Sequence, residues 1–261
     1  MYNLYGQHLQ LAQEAALKAG DIIIEKQGKA EITEKGKNNL VTEADYDAEE
    51  LIINMIRDRF PNHQFMAEET DLTAKGEAEN LWIIDPLDGT NNYAHSIPHF
   101  SVSIAYASLG RVMVGVVYDP VRKEMFTAIG NQGAYLNKKQ IQVSQAASLQ
   151  EAIIATGFYY DRGVIMRKTL TTIEKLFDAN IHGIRRFGSA ALDICWVACG
   201  RFDAFFEYNL STWDFAAGML ILEEAGGCIN DHNGNRFDLN STGIIASNGR
   251  FHETFLDIVI N

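Results

Sequence analysis

One stretch, from Leu81 to Asn92, constrains the fold and the chemistry of this chain more than any other. It reads Leu-Trp-Ile-Ile-Asp-Pro-Leu-Asp-Gly-Thr-Asn-Asn. The β-prone apolar residues predict a buried strand, and the Pro-x-Asp-Gly sequence predicts an abrupt end to that strand. Asp85 and Asp88 are three residues apart, so an ordinary turn places both carboxylates on one side. Two carboxylates at the end of a buried strand are costly unless a cation pairs with them.

Two interpretations of this stretch stay open when it is taken alone. In the first, Asp85 and Asp88 are solvated residues of an Asp-Gly turn. In the second, they bind a hard divalent cation such as Mg²⁺, which prefers oxygen ligands. No Lys or Arg between Asp85 and Asn92 is present to neutralise them. A short helix that begins at Gly89 would add free N–H groups, which form an anion site.

Composition bounds the class of protein. The chain has 261 residues, of which 47% are hydrophobic, and this predicts one or two globular domains with a substantial core. The net charge of -12 argues against a nucleic-acid partner, because phosphate backbones bind cationic surfaces. The first residues, Met1 to Tyr5, do not show the basic and then apolar pattern expected of a signal peptide, and no apolar run approaches membrane-spanning length. Cys195 and Cys199 fit one face of a core helix. We therefore expect a cytoplasmic protein with no membrane partner.

Hydrophobic periodicity predicts two different halves. The first has helices over 3–27 and 43–59, a loop or loose hairpin between them, and strands at 64–67, 81–84, 100–108, 111–118 and 124–129, with short connections typical of antiparallel neighbours. The second alternates strands (152–157, 184–187, 203–207, 243–247) with helices (167–179, 189–198, 212–225, 251–258), which is typical of an α/β unit. We expect a domain of residues 1–143, which carries most of the metal ligands, packed tightly on one of residues 144–261.

Three further acidic residues lie where apolar elements begin or end. Glu68 follows the short strand at 64–67, Asp214 opens a helix, and Asp45 lies in the first turn of another helix, after the predicted N-cap Thr42. Asp45 and Asp214 can each be explained as first-turn residues favoured by the helix dipole, and Glu68 as a solvated loop residue. The alternative is that all three converge on Asp85 and Asp88.

The chain resembles the inositol monophosphatase family in five motifs that occur in the family's order and spacing. They are Val41-Thr42-x-x-Asp45, Glu68-Glu69, the Asp85-Pro-Leu-Asp-Gly-Thr90 core after its apolar strand, Gly188-Ser-Ala-Ala191 and Trp213-Asp-x-Ala-Ala-Gly218. The resemblance covers nearly the whole chain. It implies a mixed α+β or α/β fold, the layered αβαβα sandwich shared with fructose 1,6-bisphosphatase, and a Mg²⁺-dependent phosphomonoesterase with two or three Mg²⁺ ions in each active site. It also implies a homodimer.

The resemblance assigns metal ligands by position. Glu68, Asp85 and the backbone carbonyl of Leu87 would hold the first ion. Asp85, Asp88 and Asp214 would hold the second, so that Asp85 bridges the pair, and a third, weaker ion would lie near Glu68. In two-metal sites of this kind, one ion activates a water and the other stabilises the leaving oxygen.

Catalytic and substrate roles are implied in the same way. Thr90 with Asp45, and Glu68, would orient and deprotonate the attacking water, which displaces the leaving group in line and without a phosphoenzyme. The N–H groups of Gly89 and Thr90 would hold the phosphate. The substrate-contacting positions of the family correspond to Asp88, Gly89, Thr90, Gly188, Ser189, Ala190, Glu207 and Asp214.

The resemblance favours an inositol monophosphate as the substrate and leaves other classes open. Ser211 stands where some inositol-specific members carry histidine. NADP, fructose 1,6-bisphosphate and adenosine 3′,5′-bisphosphate are therefore alternative substrates for the same chemistry. A metal-binding regulatory protein without turnover is a further alternative, although such a protein would need neither Thr90 nor Asp45. The D-x-x-D spacing excludes a haloacid-dehalogenase motif, and no P-loop sequence is present.

Overall fold

The structure is a computed structural model of the chain, and it describes residues 5–29, 32–36, 39–70, 72, 78–158 and 162–261. The helices are α1 (Gly6–Lys26), α2 (Glu43–Arg59), α3 (Thr90–Ala94), α4 (Val164–Asp178), α5 (Ala190–Ala198), α6 (Thr212–Glu224) and α7 (His252–Ile260). The strands are β1 (Ile32–Gly36), β2 (Asn39–Thr42), β3 (Gln64–Ala67), β4 (Asn80–Asp88), β5 (Ser101–Ser108), β6 (Arg111–Asp119), β7 (Glu124–Ile129), β8 (Ala134–Leu136), β9 (Lys139–Ile141), β10 (Ile153–Thr156), β11 (Gly183–Arg185), β12 (Ala204–Glu207), β13 (Cys228–Asp231) and β14 (Ile244–Ser247). The start predicted for the first helix, at residue 3, lies outside the described residues.

Most of these strands form two mixed sheets, one in each half of the chain. The first has seven strands in the order β3-β4-β5-β6-β7-β8-β9, in which β3 and β4 are parallel and the other pairs antiparallel. The second has five strands in the order β11-β10-β12-β14-β13, with β10 parallel to both of its neighbours. β1 and β2 pair as a separate hairpin. The antiparallel pairing predicted for residues 100–129 is confirmed.

The helices and sheets alternate as five layers, αβαβα, because successive side chains of each strand point to opposite faces. On β4, Trp82 and Ile84 pack with α1 and α2 on one side of the seven-stranded sheet. Leu81 and Ile83 pack on the other side, in a core formed with α5, α6 and the inner face of the five-stranded sheet. The outer face of that second sheet, with Phe206 on β12, is covered by α4 and α7. The predicted layered fold is confirmed.

The chain crosses between the two sheets over residues 142–152, close to the boundary predicted at residue 143. Helices α5 and α6 lie between the sheets and contact both. The division into two domains stays a prediction, since both halves share this central core. Among the described helices, none is both long enough and apolar enough to cross a bilayer.

The strand was predicted to end at the Pro-x-Asp-Gly sequence, and β4 includes Pro86 and ends at Asp88, just before Gly89. β3 pairs with β4 only as far as Ile84, so the missing N–H of Pro86 leaves no hydrogen bond unmade on that side. Between Asp85 and Asp88, two residues of β4 (Pro86 and Leu87) then lie opposite one residue of β5 (Val102), as a bulge. The bulge, rather than a turn, brings the two carboxylates to the same region.

Three short strands were not predicted: β8, β9 and β13. Each has three or four residues, most of them only partly buried or exposed, so none shows the alternation that marks a half-buried strand. They form because a neighbouring strand offers them backbone partners. β9 pairs only with β8, and β13 only with β14.

Candidate active site

A hollow of about 300 Å³ lies where the end of β4, the N-termini of α5 and α6, and the end of β12 meet. Most of the predicted site residues line it: Glu68, Asp88, Gly89, Thr90, Gly188, Ala190, Glu207 and Asp214. Four other predicted residues, Asp45, Asp85, Leu87 and Ser189, are buried next to these in the chain or bonded to them. The structure therefore brings the predicted set to one place.

Asp85 is the most deeply buried of the acidic side chains at the end of β4, with 1% of its surface exposed. Its Oδ1 accepts a hydrogen bond from the N–H of Leu87 at 3.0 Å, and its Oδ2 has no donor among the described residues. Burial raises the pKa of Asp85 well above its usual range, and the negative charges of Glu68, Asp88 and Asp214 raise it further. Among the described residues, no Lys, Arg or His charge contributes to the shift in the pKa of Asp85.

Asp88 joins the two halves of the molecule. Its Oδ2 accepts from the Ser189 hydroxyl at 2.6 Å and from the N–H of Ala191 at 2.8 Å, and its Oδ1 from the N–H of Ala190 at 3.3 Å. The last residue of β4 thus satisfies the free N–H groups at the start of α5. Burial raises the pKa of Asp88 to about 6, although the hydrogen bonds from Ser189, Ala191 and Ala190 act in the opposite direction.

Asp45 lies on the far side of Thr90 and is fully buried. Its Oδ2 accepts from the N–H of Thr42 at 2.9 Å and from the Thr42 hydroxyl at 2.6 Å, in a capping box at the start of α2. Its Oδ1 lies 3.1 Å from Thr90 Oγ1, which is also 3.0 Å from the carbonyl oxygen of Leu87. Burial raises the pKa of Asp45. The helix-capping role and the contact with Thr90 are therefore both present.

Gly89 allows the chain to turn from β4 into the short helix α3. Its φ of 97° is in the left-handed region, which favours glycine. An added Cβ would lie 3.1 Å from the carbonyl oxygen of His99 and 3.2 Å from that of Gly188, so the turn is also closely packed. Asn92 on α3 donates from Nδ2 to the carbonyl oxygens of His99 and Phe187, both at 2.7 Å. These contacts fix α3 against the 187–188 segment.

Asp214 reaches the hollow from the first turn of α6. Its Oδ2 accepts from the N–H of Ser211 at 2.7 Å, and the two residues form a capping box. Burial raises the pKa of Asp214 well above its usual range, with further contributions from Asp88 and Glu207. The first-turn explanation for Asp214 is correct. Its carboxylate also belongs to the acidic group of the site, which consists of Glu68, Asp85, Asp88 and Asp214.

Glu207 ends β12 on the opposite wall of the hollow. Burial raises its pKa to about 8, while the nearby Arg186 guanidinium acts in the opposite direction. Arg186, Gly157 and Asp193 also line the hollow and were not identified from the sequence. Asp193 could have been noticed as the only charged residue of α5, whose sequence is Ala-Ala-Leu-Asp-Ile-Cys-Trp-Val-Ala.

The donor set suits a hard cation. Every titratable side chain of the acidic group is a carboxylate, and the buried Asp85 Oδ2 lacks a donor. Among the described residues, no three His, Cys, Asp or Glu side chains already surround a point where an ion could be held. A cation between neighbouring carboxylates offsets their mutual repulsion, and carboxylate oxygens are ligands that Mg²⁺ prefers, so the oxygens present fit Mg²⁺ in kind.

Comparison with known proteins identifies the family. The model of the inositol monophosphatase family matches residues 6–260 of this sequence. The chain belongs to the inositol monophosphatase family. The match includes the ends of β3 and β4 and the starts of α2, α5 and α6, so all the candidate site residues lie inside it.

Individual relatives within the inositol monophosphatase family carry more than one name. The chain is 42% identical over 252 residues to the Nus factor SuhB of Haemophilus influenzae, covering 95% of this chain and 94% of that one. It is 44% identical over 250 residues to an inositol-1-monophosphatase of Synechocystis, covering 94% and 86%. The crystal structure of the extragenic suppressor protein suhB of Bartonella henselae is similar with a TM-score of 0.92 and 36% identity, covering 97% of this chain and 98% of that one.

Proposed function

We propose that this protein is a Mg²⁺-dependent phosphomonoesterase that hydrolyses an inositol monophosphate to inositol and phosphate. The observation that carries the proposal is the group of Glu68, Asp85, Asp88 and Asp214 at one hollow. Burial raises the pKa of Asp85 well above its usual range, and the negative charges of the other three raise it further. Such a group is costly in a protein that binds no cation. Membership of the inositol monophosphatase family supports the same reaction class.

The residues that would hold Mg²⁺ are those of the acidic group. Glu68, Asp85 and the Leu87 carbonyl would hold one ion, and Asp85, Asp88 and Asp214 a second. Bound Mg²⁺ would supply activation of water and stabilisation of the leaving oxygen. The bulge of β4 supports this assignment, because its extra residue places Asp85 and Asp88 opposite Ser103 and Ser101, two positions on the same face of β5.

Thr90 and Asp45 would move the proton of the attacking water. The Thr90 hydroxyl can accept a hydrogen bond from that water while it donates to Asp45 Oδ1, which lies 3.1 Å away. Burial raises the pKa of Asp45, so this carboxylate is a better proton acceptor than one in water. Glu68, which also lines the hollow, would help to orient the water. The N–H groups that open α3 would hold the phosphate oxygens.

The experiment that tests the proposal is a phosphate-release assay with and without Mg²⁺. Its substrates are inositol 1-phosphate, NADP, fructose 1,6-bisphosphate and adenosine 3′,5′-bisphosphate. We expect release that depends on Mg²⁺, stops with a chelator and is fastest for inositol 1-phosphate. A higher kcat/KM for one of the other three would identify that compound as the preferred substrate and would leave the proposed reaction class unchanged. No release from any of them would refute the phosphatase.

The Asp85→Asn variant tests whether the acidic group is the metal site. Since Asp85 would bridge both ions, we expect the variant to lose Mg²⁺ binding by calorimetry and at least about 10³-fold in kcat/KM, equivalent to several kcal/mol of charge stabilisation. Asp178→Asn, the same change at an exposed position of α4, is the matched control and should behave as the wild type. Mg²⁺-supported activity that survives in Asp85→Asn would overturn the assignment.

A second candidate function follows from the relative named Nus factor SuhB, which is 42% identical over nearly its full length. We infer that this chain can act as a Nus factor, as the name of that relative states for the relative. The Asp85→Asn variant tests whether such a role requires hydrolysis. The wild-type chain and Asp85→Asn would each be expressed in Haemophilus influenzae that lacks its own SuhB. Complementation by both supports a role without turnover, and complementation by neither removes this candidate.

A further inference from the structure

The wall of the hollow contains a carboxylate that the mechanism does not use. Asp193 lies on α5, is 1% exposed and forms part of that wall. The seven other residues of α5 that are buried are apolar or small. A charged residue at this position is therefore not explained by the packing of the helix.

The Asp193 carboxylate has no hydrogen-bond donor among the described residues, and its Oδ1 is completely buried. The nearest basic atom is Nε2 of His99, at 3.9 Å, which is too far for a hydrogen bond. Burial lowers the pKa of His99 to about 4, and the charge of Arg122 acts in the same direction. The imidazole is therefore neutral at pH 7, so the two residues do not form an ion pair.

Asp193 contrasts with the other buried carboxylates of the site. Asp88 accepts three hydrogen bonds and Asp45 accepts from both Thr42 and Thr90. A buried polar group without a partner costs roughly 1–3 kcal/mol, and more when it is charged. A carboxylate in this state fits a position whose donor arrives with a ligand.

Glu207 lines the same hollow as Asp193, and its carboxylate accepts no hydrogen bond from the described residues. Burial raises the pKa of Asp193 well above its usual range, and the charges of Asp88 and then Glu207 raise it further. Arg186 is the only basic residue that lines the hollow in the described part of the chain. Its positive charge lowers the pKa of Asp193 and of Glu207, which opposes the effect of burial on both.

We propose that Asp193 is a specificity-determining residue that accepts a hydroxyl of the substrate and, with Glu207, selects a polyhydroxylated monophosphate over a bisphosphate. A polyol brings several O–H donors to acceptors that have none. A second phosphate brings further acceptors and no O–H donor, so it leaves the acceptor oxygens of both carboxyl groups without a partner.

This inference rests on the proposed function and deepens it. Its test therefore uses measurements that do not depend on which phosphate ester is the natural substrate. Free inositol is titrated into the wild type in the presence of Mg²⁺ and inorganic phosphate, and its binding is followed by calorimetry. Hydrolysis of p-nitrophenyl phosphate, a substrate with no hydroxyl groups, reports on the chemistry alone.

In Asp193→Asn, we expect the Kd of inositol to rise at least about tenfold, because the amide replaces one of the two acceptor oxygens with an N–H₂ donor. The kcat/KM for p-nitrophenyl phosphate should stay within about twofold of the wild type. The ratio of kcat/KM for inositol 1-phosphate to that for fructose 1,6-bisphosphate should fall. Asn keeps the size of the side chain, and Asp193→Ser is a second variant in case Asn distorts the helix.

Several results would overturn the inference. One is an unchanged Kd for inositol in both variants, and another is no inositol binding by the wild type. A third is a loss of kcat/KM with p-nitrophenyl phosphate as large as the loss with inositol 1-phosphate, which would indicate a structural role. Failure of the proposed function looks different. In that case the wild type would release no phosphate under Mg²⁺, yet inositol would still bind in a manner that depends on Asp193.

Discussion

Gly157, which follows β10, lies so close to Glu207 that any side chain at position 157 would overlap the Glu207 carboxylate. A Cβ on Gly157 would lie 1.8 Å from Glu207 Oε2, 2.3 Å from its Cδ and 2.6 Å from Oε1, whereas real Cβ atoms essentially never come within 3.0 Å of another heavy atom. In Gly157→Ala the buried carboxylate must therefore withdraw by about 1 Å or more. A displacement of that size is enough to break a hydrogen bond to a substrate.

The expected magnitudes follow from this overlap. Overpacking of a buried site costs about 1–3 kcal/mol, and for a chain of this length this lowers Tm by about 2–12 °C. The KM for inositol 1-phosphate should rise about tenfold, through loss of the Glu207 contact. Hydrolysis of p-nitrophenyl phosphate should stay close to the wild-type rate. Thermal unfolding and steady-state kinetics measure both effects.

Two further variants test whether the overlap between Gly157 and Glu207 causes these effects. Gly130→Ala is the matched control, because its Cβ would meet only the flexible end of Met113, at 3.2 Å, and we expect little change. Glu207→Asp shortens the side chain by one methylene, so the double variant with Gly157→Ala should regain part of the lost stability, with a coupling of about 1 kcal/mol or more. Equal Tm and KM values for Gly157→Ala and the wild type would show that the overlap is not real. Strict additivity in the double variant would show that it does not involve Glu207.

Thr90→Ala should leave Mg²⁺ binding by calorimetry unchanged and reduce kcat by about 10²-fold, since the hydroxyl next to Asp45 is lost, and an unchanged kcat would remove Thr90 from the proton path. A pH effect is expected at His8, which stacks on Phe60 and Tyr106 with ring centroids 4.5 and 4.2 Å away. Burial, and then the charge of His63, lowers the pKa of His8 from 6.5 to about 4, so the unfolded chain binds the proton more tightly. Stability should therefore fall as the pH drops from about 6.5 towards 4, and His8→Phe should flatten the dependence of Tm on pH in that range.

The elements predicted best are those whose ends are set by local chemistry. The helix from Glu43 was predicted to within a residue because Thr42 caps it through side-chain and backbone contacts three residues apart. The continuous apolar runs of β5, β6 and β7 predicted those strands equally well. The strands β9 and β13 have no such signal. Their conformation depends on backbone pairing with a neighbouring strand, β8 for β9 and β14 for β13.

The candidate site shows the same limit. Asp85 and Asp88 were identified because they interrupt an apolar run, and Asp45, Glu68 and Asp214 because they border apolar elements. Asp193 also interrupts an apolar run, yet nothing local distinguishes a carboxylate that faces a hollow from one that caps or pairs. Its significance depends on the absence of donors around it, and that is a property of the packed structure alone.

Asp88 shows why the chemistry depends on the way the two sheets pack. Its carboxylate is the last group of β4 in the seven-stranded sheet, and its three donors come from Ser189 and the start of α5. The positive end of that helix helps to offset the repulsion between Asp88 and the neighbouring carboxylates. If α5 moved away, Asp88 would lose its donors and the acidic group would lose part of its compensation. The packing of α5 between the two sheets is therefore part of the site, since it holds like charges together before any cation arrives.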